Sequence, residues 1–228
     1  MQAINCPRRA GFDTPGALTI EAARKFKAAG YAFGIRYLTR WPVKHCKPTA
    51  DIGGWFYALS RQELADCMTA ELPIGIVQAA DTKDDPGNPW DDITPDGGRR
   101  LAESALEQLE WLEVPKGITV FFAAESSPIP VASMLIGAIE AWGELLVKGG
   151  FQAGMYFGPG TGLTAEQAWD LRWINRYWRS ASAVPFPSNR GVNMQQGTEM
   201  ELFGYDIDQN LACIDGHHTM GRIRVIAP

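Results

Sequence analysis

Short apolar runs alternate along this chain with stretches whose apolar residues recur every three or four positions. The first pattern predicts buried strands and the second predicts amphipathic helices. Ala10–Asp13 is the first strand candidate, stopped by Thr14-Pro15-Gly16. Thr19 then stands at a cap position, Ala22, Phe26 and Ala29 share one helical face, and Gly30 ends the run. Phe33–Leu38 reads as strand two, followed by a loop rich in Pro, Lys and Gly from Thr39 to Tyr57. Ser60 and Glu63 match a capping box, and the helix they open ends before Pro73. Ile74–Ala80 is strand three, ending in Asp81, and Thr82–Ile93 is an acidic, turn-rich loop. Thr94-Pro95 starts a helix with Leu101, Ala105, Leu109 and Leu112 on its apolar face. Ile118–Ala124 is strand four, and Glu125 follows it directly before Ser126, Ser127 and Pro128 break the run. Leu135, Ile139, Trp142 and Leu146 mark the next helix, stopped by Gly149-Gly150. Phe151–Phe157 is strand five, and Thr164 with Gln167 opens a short helix by a second capping box.

The rhythm then changes. Arg172–Trp178, Val192–Gln196 and Tyr205–Ala212 read as three strands with little room for helices between them. About eight strands, with helices after the first five, predict an α/β fold. The expected architecture is a single TIM-like (β/α) barrel whose last three strands carry few or no helices. No linker or low-complexity tract divides the chain, so residues 1–228 are expected to form one domain with its core at about 10–212.

Composition narrows the function classes. Hydrophobic residues make up 46% of the 228 residues and charged residues 21%, as in an ordinary globular chain. A formal net charge of -5 argues against a polycation built to coat nucleic acid. No apolar run approaches the roughly 18 residues of a membrane span, so no membrane insertion is expected. Arg8 and Arg9 precede no apolar segment, so a cytoplasmic product without a signal peptide is expected. Cys6, Cys46, Cys67 and Cys213 are far apart and form no C-x-x-C pair, which predicts reduced thiols rather than a zinc ribbon. His217 and His218 are adjacent and would face opposite ways on a strand, so no metal site is expected, and no cofactor either. Gly158–Gly162 lacks the Lys-Ser/Thr of a phosphate loop. No G-x-S-x-G elbow surrounds Ser126 or Ser127.

The candidate chemistry lies in carboxylates at strand ends. A carboxylate after an apolar strand is costly to bury and must be paired, solvated or used, and active sites of α/β barrels sit at the C-terminal ends of the strands. Asp13 ends strand one, Glu125 ends strand four, and Asp206 and Asp208 lie on the last strand, which neighbours the first in a closed barrel. Glycosidic-bond cleavage uses such a set, with one carboxyl protonated to donate to the leaving oxygen and another ionised. The structural alternative has Asp13 capping its loop, and Asp206 or Asp208 pairing with an arginine such as Arg36 or Arg176. Eight tryptophans and six tyrosines, among them Trp41, Trp55, Tyr57 and Trp90 in the long loops, either form sugar platforms or pin those loops to the barrel. The cluster of Arg172, Arg176 and Arg179 with Trp173, Tyr177 and Trp178 is compatible with an anionic polymer.

Gly11-Phe12-Asp13-Thr14, then TIEAARKFKAAGYAFGIRYL, IGIVQAA, VFFAAES, AGMYFG, MQQG and YDIDQN, in that order, resemble the glycoside-hydrolase-like barrel domains of bacteria and phages. These domains are related to the family 25 lysozymes, which are N-acetylmuramidases. The resemblance runs from about Ala10 to Ala212. It implies a peptidoglycan-directed hydrolase used as a phage lysin or delivered toxin, with Glu125 as general acid/base and Asp13 and Asp208 as supporting acids. It also implies a substrate cleft, for which Asp81, Tyr156, Gln196, Asp206, Arg36, Tyr37 and Gln78 are the candidate lining residues. The expected partner is peptidoglycan or a related glycan, met at the cell wall or periplasm after lysis or specialised export, with a monomer favoured. Family 25 lysozymes carry Asp-x-Glu at the end of strand four, where this chain has Ala123-Ala124-Glu125. That departure supports a rival expectation, a non-catalytic glycan-binding barrel.

Overall fold

A computed structural model describes residues 1–7, 9–38, 58–79, 93–123, 132–182, 192–212 and 223–228. The strands are β1 (Gln2–Asn5), β2 (Ala10–Asp13), β3 (Gly34–Leu38), β4 (Ile74–Ala79), β5 (Thr119–Ala123), β6 (Gln152–Phe157), β7 (Tyr177–Arg179), β8 (Met194–Leu202), β9 (Tyr205–Ala212) and β10 (Arg224–Ala227). The helices are α1 (Ile20–Ala28), α2 (Arg61–Thr69), α3 (Pro95–Trp111), α4 (Ala132–Lys148) and α5 (Ala165–Trp169). Among the described residues no helix is long and apolar enough to cross a membrane.

Strands β2 to β9 close an eight-stranded barrel, in the order β4-β3-β2-β9-β8-β7-β6-β5 with β5 returning to β4. From β2 through β8 each strand runs parallel to the next. The last strand, β9, is antiparallel to both β8 and β2. This α/β barrel matches the expected fold, with one refinement. The final strand enters from the mouth, because β8 and β9 form a hairpin rather than a helical crossover. Phe203 and Gly204 at its turn have φ of 57° and 81°. Two successive left-handed residues give the turn whose twist suits paired strands.

Strands β3, β5 and β6 are buried on both faces, which explains their near-continuous apolar runs, whereas β8 and β9, with no helix over them among the described residues, alternate buried and exposed residues. Alternate residues split into two cores. Phe33, Ile35, Val77, Phe121, Tyr156, Trp178 and Met194 fill the interior. Ile74, Ile76, Val120, Phe122, Met155 and Phe157 face outward into a larger cluster with Phe26, Leu64, Leu101, Leu109, Ile139 and Trp142 of the helices. Gly11 makes room for the inner core, since a Cβ there would lie 2.3 Å from the Phe33 ring. The terminal strands, which the sequence pattern did not single out, form an antiparallel ribbon. Ala3 pairs with Ile226, and Ile226 in turn bridges to Ile74 at the start of β4. With Cys6, Ile223 and Val225 in the inner core, this ribbon seals the end of the barrel opposite the strand C-termini.

Most helix signals hold. Thr19, Ser60, Thr94 and Thr164 each cap a helix through the side-chain oxygen. The box at Thr164 and Gln167 is complete. The one expected at Ser60 and Glu63 is half made. Ser60 accepts from the Glu63 amide at 3.1 Å, but the Glu63 carboxylate turns to Arg36 and to the Leu18 amide. The strand expected over Arg172–Trp178 is only Tyr177–Arg179. The amides of Arg172 and Trp173 donate instead to the Glu140 carboxylate of α4, at 2.6 and 3.2 Å.

Candidate functional site

The carboxyl ends of β2, β3 and β6, with Gln196 near the start of β8 and Asp208 and Asn210 of β9, form one polar network at the barrel mouth. Asp13 is its centre. It is the last residue of β2 and the register partner of Asp208 on antiparallel β9, so the two side chains lie on the same face. Only 3% of Asp13 is exposed. Its Oδ2 accepts from Asn210 Nδ2 at 2.7 Å and from Gln196 Nε2 at 3.3 Å, and its Oδ1 accepts from the Tyr37 hydroxyl at 3.0 Å. The Gln196 amide also donates to Asp208 Oδ2 at 2.9 Å, and its carbonyl accepts from the Tyr156 hydroxyl at 2.6 Å. Tyr156 in turn packs on Trp178, with ring centroids 4.4 Å apart.

The electrostatics of this cluster are unusual. No lysine or arginine among the described residues pairs with Asp13 or Asp208. Burial pushes the Asp13 carboxyl from its ordinary 3.8 up to about 7, and the charge of Asp208 adds to the rise. The bonds from Asn210, Gln196 and Tyr37 oppose it by favouring the carboxylate. Partial burial also raises Asp208, with the negative charge of Glu199 across the hairpin as the second cause. The Asp13 carboxyl, which shares an amide donor with Asp208, is suited to hold a proton near neutrality, which general acid/base chemistry requires.

Of the candidate site residues, Asp13, Tyr37, Tyr156, Gln196 and Asp208 are brought together. Glu125 and Asp81 lie outside the described residues, as do the loop aromatics Trp41, Trp55, Tyr57 and Trp90 and the three histidines. Asp206 is exposed further along the hairpin, and its backbone carbonyl, not its carboxylate, accepts from Thr14 Oγ1 at 2.8 Å. Arg36 and Gln78 do not line the mouth, contrary to expectation. On β3 and β4 they alternate with the interior residues Ile35, Tyr37 and Val77 and therefore face the helices. Arg36 is fully buried, pairs with Glu63 of α2, and donates to the carbonyls of Thr14 and Pro15. Gln78 donates to the Leu101 carbonyl at 3.0 Å and accepts from the Trp142 indole at 2.8 Å. Arg36 still matters to the site, because it pins the turn that follows Asp13.

Two interior residues were not among the candidate site residues. Asn210 makes the shortest bond to Asp13, and Trp178 forms the floor under Tyr156. Asn210 was detectable as the end of the Asp208-Gln209-Asn210 element, since alternation puts it on the Asp208 face. Ala123, by contrast, sits where expected, in the inner core at the end of β5 and in register with Tyr156. Among the described residues no group of His, Cys, Asp and Glu could hold a metal ion. Cys6 and Cys67 are buried, and burial pushes the Cys67 thiol up to about 12.

Residues 24–211 match the model of the Rv2525c-like, glycoside hydrolase-like domain family. No curated protein matches the chain. Among solved structures, an uncharacterized protein of B. stearothermophilus is 19% identical, with 90% of this chain and 95% of that one covered and a TM-score of 0.63. GHIP of Streptococcus pneumoniae, a glycosyl hydrolase 25 described as a virulence factor participating in host cell invasion, is 12% identical over 90% of this chain and 86% of its own, with a TM-score of 0.58. The modular autolysin LytC of the same organism is 10% identical over 89% of this chain and 46% of its own, with a TM-score of 0.57. LytC has also been solved with a synthetic peptidoglycan ligand. At these identities the solved structures establish the barrel fold. The family match reaches further, because it runs from within α1 almost to the end of β9, and the chain therefore belongs to the Rv2525c-like, glycoside hydrolase-like domain family.

Proposed function

We propose that the protein is a glycoside hydrolase that cleaves the glycan of bacterial cell-wall peptidoglycan, a lysozyme-like muramidase of the kind used as a phage lysin or delivered toxin. The observation that carries this reading is the pair Asp13 and Asp208, both with raised pKa and joined through the Gln196 amide at the barrel mouth. Glycoside cleavage needs one carboxyl protonated and another ionised beside a positively charged transition state. In this reading Glu125, two residues beyond the end of β5, protonates the leaving oxygen. Asp208, half-buried at the mouth, stabilises the developing charge or orients water. Asp13 supports both from beneath. The peptidoglycan ligand seen with LytC supports the choice of substrate. The proposed place of action is the cell wall, reached after lysis or specialised export.

The test is release of new reducing ends from purified peptidoglycan. Glu125→Gln keeps the shape and removes the acid, and Asp208→Asn removes the charge. Each is expected to lower the rate by about a hundredfold or more. Equal release by the wild type and Glu125→Gln refutes the assignment of the acid.

A second reading, a non-catalytic glycan-binding barrel, is favoured by one observation. Ala123, buried in the inner core, occupies the place where family 25 lysozymes carry the aspartate of Asp-x-Glu. This reading expects co-sedimentation with insoluble peptidoglycan and no reducing ends. Any released muropeptide that depends on Glu125 rules it out.

A further inference from the structure

We infer that Asp13 and Tyr37 form a proton relay, in which the Asp13 carboxylic acid donates from Oδ1 to Tyr37 while the Tyr37 hydroxyl passes its own proton to an acceptor in the barrel mouth. The argument starts from where a proton on Asp13 can sit. Oδ2 already accepts from Asn210 Nδ2 and Gln196 Nε2. Both amides are oriented by other acceptors, Asn210 by the Asp208 carbonyl at 3.2 Å and Gln196 by the Asp208 carboxylate. A proton on Oδ2 would therefore face two N–H donors. Among the described residues the hydrogen-bond partner of Oδ1 is the Tyr37 hydroxyl, and a hydroxyl can accept while it donates elsewhere.

Burial completes the case. Asp13 is 3% exposed, so it cannot readily exchange its proton with a substrate directly. Tyr37 stands near the mouth end of β3 and is only partly buried. In the transfer, one O–H bond breaks on Asp13 and one forms on Tyr37. The original Tyr37 O–H breaks and one forms on the acceptor. Asp13 is left as a carboxylate already held by Asn210 and Gln196, so negative charge appears beneath the mouth as the proton leaves it. Among the described residues, the ionisable groups facing Asp13 are Tyr37 on β3 and Asp208 on β9. Glu199 on β8 acts on Asp208. Arg36 faces the helices with Glu63.

The identity of the acceptor, a glycan oxygen or the acid that protonates it, rests on the proposed hydrolase reading, whereas the relay does not. Infrared difference spectroscopy across the Asp13 titration tests it. The carboxylic-acid band of Asp13 is assigned by its loss in Asp13→Asn. It is expected to shift in Tyr37→Phe, because the acid proton loses its acceptor. An unshifted band in Tyr37→Phe, or no acid band below pH about 6, overturns the relay. On peptidoglycan, Tyr37→Phe is expected to lower kcat about a hundredfold with KM little changed. A band shift without any cleavage by the wild type sinks the hydrolase reading and leaves the relay. Cleavage with an unshifted band does the reverse.

Discussion

Replacing Asp13 by Asn should make the protein more stable at pH 8 and change it little at pH 4. Asn has the shape of the protonated acid. Its carbonyl can accept from Asn210 and Gln196, and its amide can donate to the Tyr37 oxygen. The wild type differs in having to ionise a buried carboxyl. A folded-state pKa raised from 3.8 to about 7 means that between those values the native state binds more protons than the unfolded chain. Stability from Asp13 is therefore fully present below the unfolded value and is lost as pH rises through about 7. At about 1.4 kcal/mol per pH unit the loss is about 4 kcal/mol. Urea unfolding of both proteins at pH 4 and pH 8 isolates this quantity, because other titrating groups cancel in the difference. The expected double difference favours Asp13→Asn at pH 8 by about 4 kcal/mol. If Asp13→Asn is destabilised equally at both pH values, the hydrogen bonds hold Asp13 as a carboxylate and the reasoning about burial is wrong.

Other outcomes follow from the same geometry. Glu63→Gln removes one partner of a buried ion pair and leaves Arg36 uncompensated, so it should cost about 3–5 kcal/mol in urea unfolding. A loss below about 1 kcal/mol contradicts the pairing. Gly11→Ala puts a Cβ against the Phe33 ring and should cost about 1–3 kcal/mol, read as a lower Tm. The double variant with Phe33→Leu should recover part of it. Trp142→Phe removes the donor to the buried Gln78 carbonyl and should cost about 1–3 kcal/mol from the orphaned acceptor alone. The same loss in a Gln78→Met background would show that the hydrogen bond is not the cause.

Much of the barrel was legible in the one-dimensional pattern. The apolar runs at Ile74, Thr119 and Gln152 are strands because both faces are buried, one by the interior and one by helices, and neither face calls for polar residues. The caps at Thr19, Thr94 and Thr164 act within four residues, so local sequence suffices to place them. The strand-end rule located Asp13. The cleft lining implied by the resemblance failed for Arg36 and Gln78, because a residue in the middle of a doubly buried strand can face either layer. Alternation from Tyr37 and Val77 would have assigned both to the helix side. The terminal ribbon was not legible, since Gln2–Asn5 and Arg224–Ala227 pair across almost the whole chain and neither carries a strong pattern of its own.

The amino-acid sequence by itself determined the fold class, the helix starts, the loss of helices after the fifth barrel strand and the placement of carboxylates near strand ends, all of which depend on neighbours a few residues apart. Only the tertiary structure decided that β9 runs against its neighbours and lays Asp208 beside Asp13. Only it turned Gln196 and Asn210 into donors for Asp13, and Glu63 from half of a capping box into the partner of Arg36. The physical reason is the same in each case. Burial and long-range register set the charge state and partners of these groups, and neither is encoded in any short stretch of chain.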